Sequence, residues 1–178
     1  MKNIREEVRK LLSELLFTET VTTATEPPFF EEFDMGSEFQ YGFKTENGNV
    51  YYLSLKQTKV KTKNQDVIEA SAESLSDDGI IGFYAVNFYS SDENPNNSVA
   101  FSQITGVHEQ FAILSHLVWL INYFSEKHNE DRIMFSAEPR RMKLYSNAFD
   151  NFKDNFHIFG PDNFDSSYEH NQVLMIKK

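Results

Sequence analysis

Gln103-Ile104-Thr105-Gly106-Val107-His108 is the stretch whose residue types and spacing best fit a binding site. It lies between a short β-prone run, Val99-Ala100-Phe101-Ser102, and a long apolar segment that begins at Val107. A glycine turn between a strand and a helix leaves the first backbone N–H groups of the helix without intrahelical partners. With the positive end of the helix dipole they form a site for an anion. The donors here belong to Gly106, Val107, His108 and Glu109, with Gln103 at the start of the turn. The same residues also fit a plain turn whose glycine only starts the helix, since Gln-x-x-Gly is a short motif.

Other reactive residue types are placed less tellingly. Five histidines (His108, His116, His128, His157, His170) show no metal-ligand spacing. His108 and His116 fall two turns apart on one helix, ~12 Å along its axis, too far to share an ion. No metal site is expected. Glu31, Glu32 and Asp34 among phenylalanines fit an acidic surface loop better than a general base. No Walker loop, nucleophile elbow or serine triad is present. The absence of cysteine rules out disulfides, thiolate metal sites and a cysteine nucleophile, and fits a reducing compartment.

The composition sets the frame in which these residues must sit. A chain of 178 residues fits one domain, here taken as 1–178. Its 17 Phe and 8 Tyr supply ample aromatic area for a core. The net charge of −10 argues against a nucleic-acid coat, which needs a basic face. Lys56-Gln57-Thr58-Lys59-Val60-Lys61-Thr62-Lys63 is a local basic exception, read as a solvated strand end whose lysines protect an edge, with a contact for an acidic partner as the alternative. The first residues lack the apolar run of a signal peptide, and no stretch reaches the ~18 apolar residues of a membrane span.

Periodicity then places the elements. Ile4, Val8, Leu11, Leu12 and Leu15 give residues 4–16 an amphipathic helical pattern, to be packed on the domain's own sheet or on a neighbouring subunit. Residues 18–37 read as irregular, anchored by Phe29, Phe30 and Phe33. Phe39, Tyr41 and Phe43, then Asn47-Gly48, then Tyr51, Leu53 and Leu55 predict a hairpin. Val67 to Ala72 fits one helical turn, and Ile80 to Tyr89 a strand. Val107 to Lys127 is the longest helix, apolar on more than one face and so expected between layers. Arg132 to Ala137 is a strand. Pro139 starts a helix whose inner face carries Met142, Tyr145, Phe149 and Phe152. Residues 157–159 and 172–176 are closing strands. The fold class is mixed α/β, with one mostly antiparallel central sheet flanked by helices.

This order of elements, with the Gln-x-x-Gly spacing, resembles the GNAT superfamily of N-acetyltransferases. The resemblance implies that Gln103, Gly106, Val107, His108 and Glu109 surround the pyrophosphate of acetyl-CoA. It also implies that Tyr145 protonates the departing thiolate; a tyrosine on a helix's inner face is equally a common core residue. His108 stands where the family pattern ends in a small residue, and Asn155-Phe156 stands where the family has Gly-Phe. Thr105-Gly106, Phe135-Ser136-Ala137 and Arg141-Met142-Lys143-Leu144-Tyr145 are similar, as a set, to a family of phage-encoded GNAT-fold proteins. That narrower resemblance implies a phage origin, a place in the host cytoplasm or the assembled virion, and phage structural proteins as partners. The expected function is a non-catalytic virion-associated or interaction protein without cofactor, direct nucleic-acid contact or membrane. The alternatives are an active acetyl-CoA-dependent N-acetyltransferase acting on an amine, and an inhibitor of a host protein that uses the acidic surface.

Overall fold

The computed structural model describes residues 23–71, 79–90, 107–137, 148–160 and 171–178. Along them run β1 (Phe29–Asp34), β2 (Glu38–Lys44), β3 (Val50–Lys61), helix α1 (Gln65–Ala70), β4 (Ile80–Ser90), helix α2 (Val107–His128), β5 (Arg132–Ala137), a 3-10 turn (Asp150–Phe152), β6 (Phe156–Phe159) and β7 (Asn171–Lys177). The predicted helix at 4–16 and strand at 99–102 lie outside the described residues.

The strands make one seven-stranded sheet in the order β1-β2-β3-β4-β5-β7-β6. Only β4 and β5 are parallel; every other neighbouring pair is antiparallel. The molecule is therefore mixed α and β with a mostly antiparallel sheet. A parallel pair cannot be closed by a tight turn and needs a crossover. Here α2 lies in that crossover.

Local chemistry explains most boundaries. Between β2 and β3 the Asn47-Gly48 turn closes on Thr45, whose carbonyl accepts from the Gly48 N–H at 2.9 Å. Gly48 takes φ +83°, a conformation a side chain would resist. The Asn64 side chain caps α1 by accepting from the N–H groups of Asp66 (2.9 Å) and Val67 (3.2 Å). At the far end of α2, Asn129 turns left-handed at φ 53°, and the Glu130 N–H returns to the Ser125 carbonyl. Beyond Gln57, whose N–H donates to the Ser37 carbonyl at 2.9 Å, β3 pairs among the described residues with β4 alone, and Lys59 and Lys61 are exposed along that stretch. That is where charged residues discourage edge pairing.

The two faces of the sheet carry different cores. On one, Phe39, Tyr41, Phe43, Leu53, Leu55, Ile133 and Phe135 pack with Ile113, Leu117, Leu120, Ile121 and Phe124 of α2. Phe149 and Phe152 join this core against Phe135 and Phe156. On the other, Val60, Ile81, Phe83, Met134, Leu174 and Ile176 bury Val67 of α1. Each such side chain contributes roughly 1.5–3 kcal/mol of transfer free energy.

One expectation needs correcting. Residues 29–34 are a regular strand paired with β2, not an irregular segment. Phe30 alone turns into the core, where it meets Tyr41, Trp119 and Tyr123. Phe29 and Phe33 project from the opposite face and stay about half exposed, at 48% and 44%. Period-two geometry makes this unavoidable, because neighbouring side chains in a strand point to opposite faces.

Candidate functional site

Among the described residues β4 and β5 are the one parallel pair, and their pairing stops short of the strands' carboxyl ends. Pairing between β4 and β5 covers Tyr84–Val86 against Ile133–Phe135, while β4 runs on to Ser90. The two strands part beyond Val86. Along α2, His116 sits against Phe43 and His128 against Phe39. The helix therefore runs opposite to β2, and so opposite to β4. Its first residue is Val107, so its N-terminal turn comes ~13 Å before the level of His116, toward the carboxyl end of β4. Crevices outside the carboxyl ends of strands, at a change in strand direction or order, are common ligand sites, and a helix N-terminus there favours an anion.

Of the residues the sequence singles out, Val107, His108 and Glu109 form the first turn of α2. Gln103, Gly106 and Tyr145 lie outside the described residues.

A second cluster joins β1 to the end of α2, and sequence reading missed it. The Glu32 carboxylate accepts from Lys127 Nζ at 3.0 Å and from His128 Nε2 at 3.1 Å. Partial burial alone would raise the Glu32 carboxyl, but the Lys127 hydrogen bond and the nearby charges outweigh it and hold it below its ordinary value. The His128 ring packs on Phe39 at 4.2 Å and on Phe124 at 5.3 Å. Beneath lies the buried Tyr41 hydroxyl, which makes no well-formed hydrogen bond. Burial pushes this phenol far above its usual value, and its contact with the Glu32 carboxylate and that group's charge add to the effect. The one available signal for this cluster was the alternation of Phe30, Glu32 and Asp34, set against Phe29, Glu31 and Phe33.

Residues 23–25 are tied to α2 further back. Thr25 N–H donates to the Ser115 carbonyl at 3.3 Å, and the Ser115 hydroxyl donates to the Thr23 carbonyl. The chain from Thr23 to Asp34 thus follows α2 from Ser115 to His128. What this arrangement does chemically is hold an edge strand rigidly against the helix. Among the described residues no group of histidines and carboxylates is gathered to hold a metal ion. Nor is any helix there long and apolar enough to cross a membrane.

Comparison with protein-family models, with curated proteins and with solved structures finds no match to this chain.

Proposed function

We propose that this chain is a GNAT-like protein of phage origin that works by binding other proteins rather than by catalysis. The observation that carries the kinship is the crossover. A single parallel pair, β4 and β5, is linked through α2 inside an otherwise antiparallel sheet, and helical residues and two closing strands follow. The resemblance calls for a strand, a long helix and a strand in this part of the chain, and β4, α2 and β5 support that much of it. Two features favour binding over turnover. In the sequence, His108 stands where the family pattern has a small residue, and β1 presents exposed phenylalanines along an acidic strand. Phage structural proteins are the proposed partners, in the host cytoplasm or the assembled particle. Cryo-EM of assembled particles, together with co-purification with capsid or tail proteins, tests this. Substrate turnover by the isolated chain would overturn it.

The N-terminal turn of α2, lying toward the carboxyl end of β4, favours a second reading as an acetyl-CoA-dependent N-acetyltransferase. Backbone N–H groups from Gly106 to Glu109 then hold the pyrophosphate, and Tyr145 is the acid. Acetyl-CoA at about 100 times its Kd would stabilise the fold by ~2.7 kcal/mol. Tyr145→Phe would slow turnover. No thermal shift at millimolar acetyl-CoA dismisses this reading.

A further inference from the structure

Among the described residues, Phe29, Phe33, Met35 and Ile80 are the large apolar side chains left exposed. Three of these four belong to β1 or the turn directly after it. Among the described residues β1 is also the last strand on its side of the sheet. The Met35 N–H donates to the Glu38 carbonyl at 2.9 Å, on the same register that pairs Phe33 with Gln40 and Glu31 with Gly42. Antiparallel ladders alternate bonded and non-bonded pairs. The backbone N–H and C=O groups of Phe30, Glu32 and Asp34 therefore point outward from the sheet.

This edge is preorganised. Phe30 is clamped by Trp119 and Tyr123, with ring centroids 5.3 Å away from each, and Glu32 is held by Lys127 and His128. Pro27-Pro28 lacks backbone N–H donors and bounds the edge on one side, as the Gly36 turn does on the other. On the outer face Phe29 and Phe33 flank the exposed carboxylate of Glu31, and Lys44 lies 5.4 Å over the Phe29 ring. A second copy is a poor occupant. Two-fold pairing centred on either middle residue of the strand sets Glu31 opposite Glu31 or Glu32 opposite Glu32, and like charges opposite one another are destabilising.

We propose that the free edge of β1 takes up an extended basic segment of a partner protein as an added strand, with a lysine or arginine opposite Glu31 and apolar residues opposite Phe29 and Phe33. Main-chain hydrogen bonds supply the attachment and the alternating side chains the selectivity. This deepens the interaction reading above and rests on it.

The test uses the full chain, labelled for amide NMR. It is titrated with an acetylated peptide of alternating residues, Lys-Thr-Val-Thr-Lys-Thr-Val-Thr-Lys, and with the same peptide carrying glutamate for lysine. The basic peptide is expected to shift the amides of residues 29–35 and to slow hydrogen exchange at Phe30, Glu32 and Asp34. Glu31→Lys should weaken it by about fivefold, the size of one exposed ion pair, and improve the acidic peptide. Phe33→Ser should weaken both. The proposal is overturned if neither peptide moves β1, if both bind equally, or if shifts fall elsewhere. It is also overturned if the outward amides are already protected in the free monomer, which would mean the chain's own N-terminal residues fill the edge. A dimer in sedimentation that Phe33→Asp dissolves would overturn it in favour of a second copy. Co-purification with particle proteins that survives Glu31→Lys would leave the interaction reading standing and refute only this edge.

Discussion

His116 Nδ1 lies 2.9 Å from the carbonyl oxygen of Thr25, 91 residues away in sequence. A carbonyl only accepts, so Nδ1 carries the proton. The other ring nitrogen, Nε2, is buried with no partner. The bond ties the approach to β1 onto the middle of α2. His116→Ala, which removes both the ring and the bond, should cost about 2–4 kcal/mol in urea unfolding. His116→Asn keeps a donor near the Nδ1 position. It should therefore preserve slow exchange at the Thr25 amide, where His116→Ala loses it.

Tyr41 makes the opposite forecast. Its hydroxyl is buried without a well-formed hydrogen bond, with the Glu32 carboxylate as a polar neighbour, so deleting it removes a desolvated group and at most a weak contact. Tyr41→Phe should leave stability unchanged or raise it by up to about 1 kcal/mol. A loss greater than that would reveal a bond the hydroxyl makes in solution. Phe39→Ala, in the same core, should cost about 3–5 kcal/mol and serves as the reference.

Glu32 gives a pH dependence. Its carboxyl is held low in the native state, so the unfolded chain takes up the proton first as pH falls. The stability it contributes is complete above the unfolded glutamate value of about 4.3 and is lost as pH falls through the lower native value. Glu32→Gln should lower stability at neutral pH and flatten the acid limb of a Tm-against-pH curve. Equal slopes for both proteins would remove Glu32 from that role. High salt should shrink the difference, because Lys127 is exposed.

Gly79 is the position where a methyl group meets backbone. Its φ is +67°, and an added Cβ would come within 2.6 Å of the Thr62 carbonyl oxygen. Gly79 also accepts from the Thr62 N–H at 3.0 Å, so the two segments are already in register. Gly79→Ala should destabilise by about 1–3 kcal/mol. Gly48→Ala has a similar φ but open space around it, and should cost less in the same denaturation experiment.

Much of the fold was legible before any coordinates. The hairpin centred on Asn47-Gly48, the helix from Val107, the strand at Arg132–Ala137 and the two closing strands follow from turn chemistry and periodicity. Their observed bounds differ from the sequence reading by a few residues at most. β1 was not legible. Its Phe–Glu alternation is offset by an edge position, where the outward phenylalanines stay exposed and the inward positions mix Phe30 with the charged Glu32. No simple apolar–polar rhythm survives. The second site was hidden for a related reason: Glu32 and its partners Lys127 and His128 are 95 and 96 residues apart, and no local pattern links them.

The sequence by itself determined the elements, because φ preferences, caps and side-chain period act over a few residues. It also determined the acidic charge and the aromatic core. The tertiary structure alone decided that β7 enters between β5 and β6, that β4 and β5 part beyond Val86, and that Glu32 meets the end of α2. Strand order and long-range ion pairs depend on which faces bury together once the chain collapses. That choice is made by the summed packing of distant segments, and no short window of residues contains it.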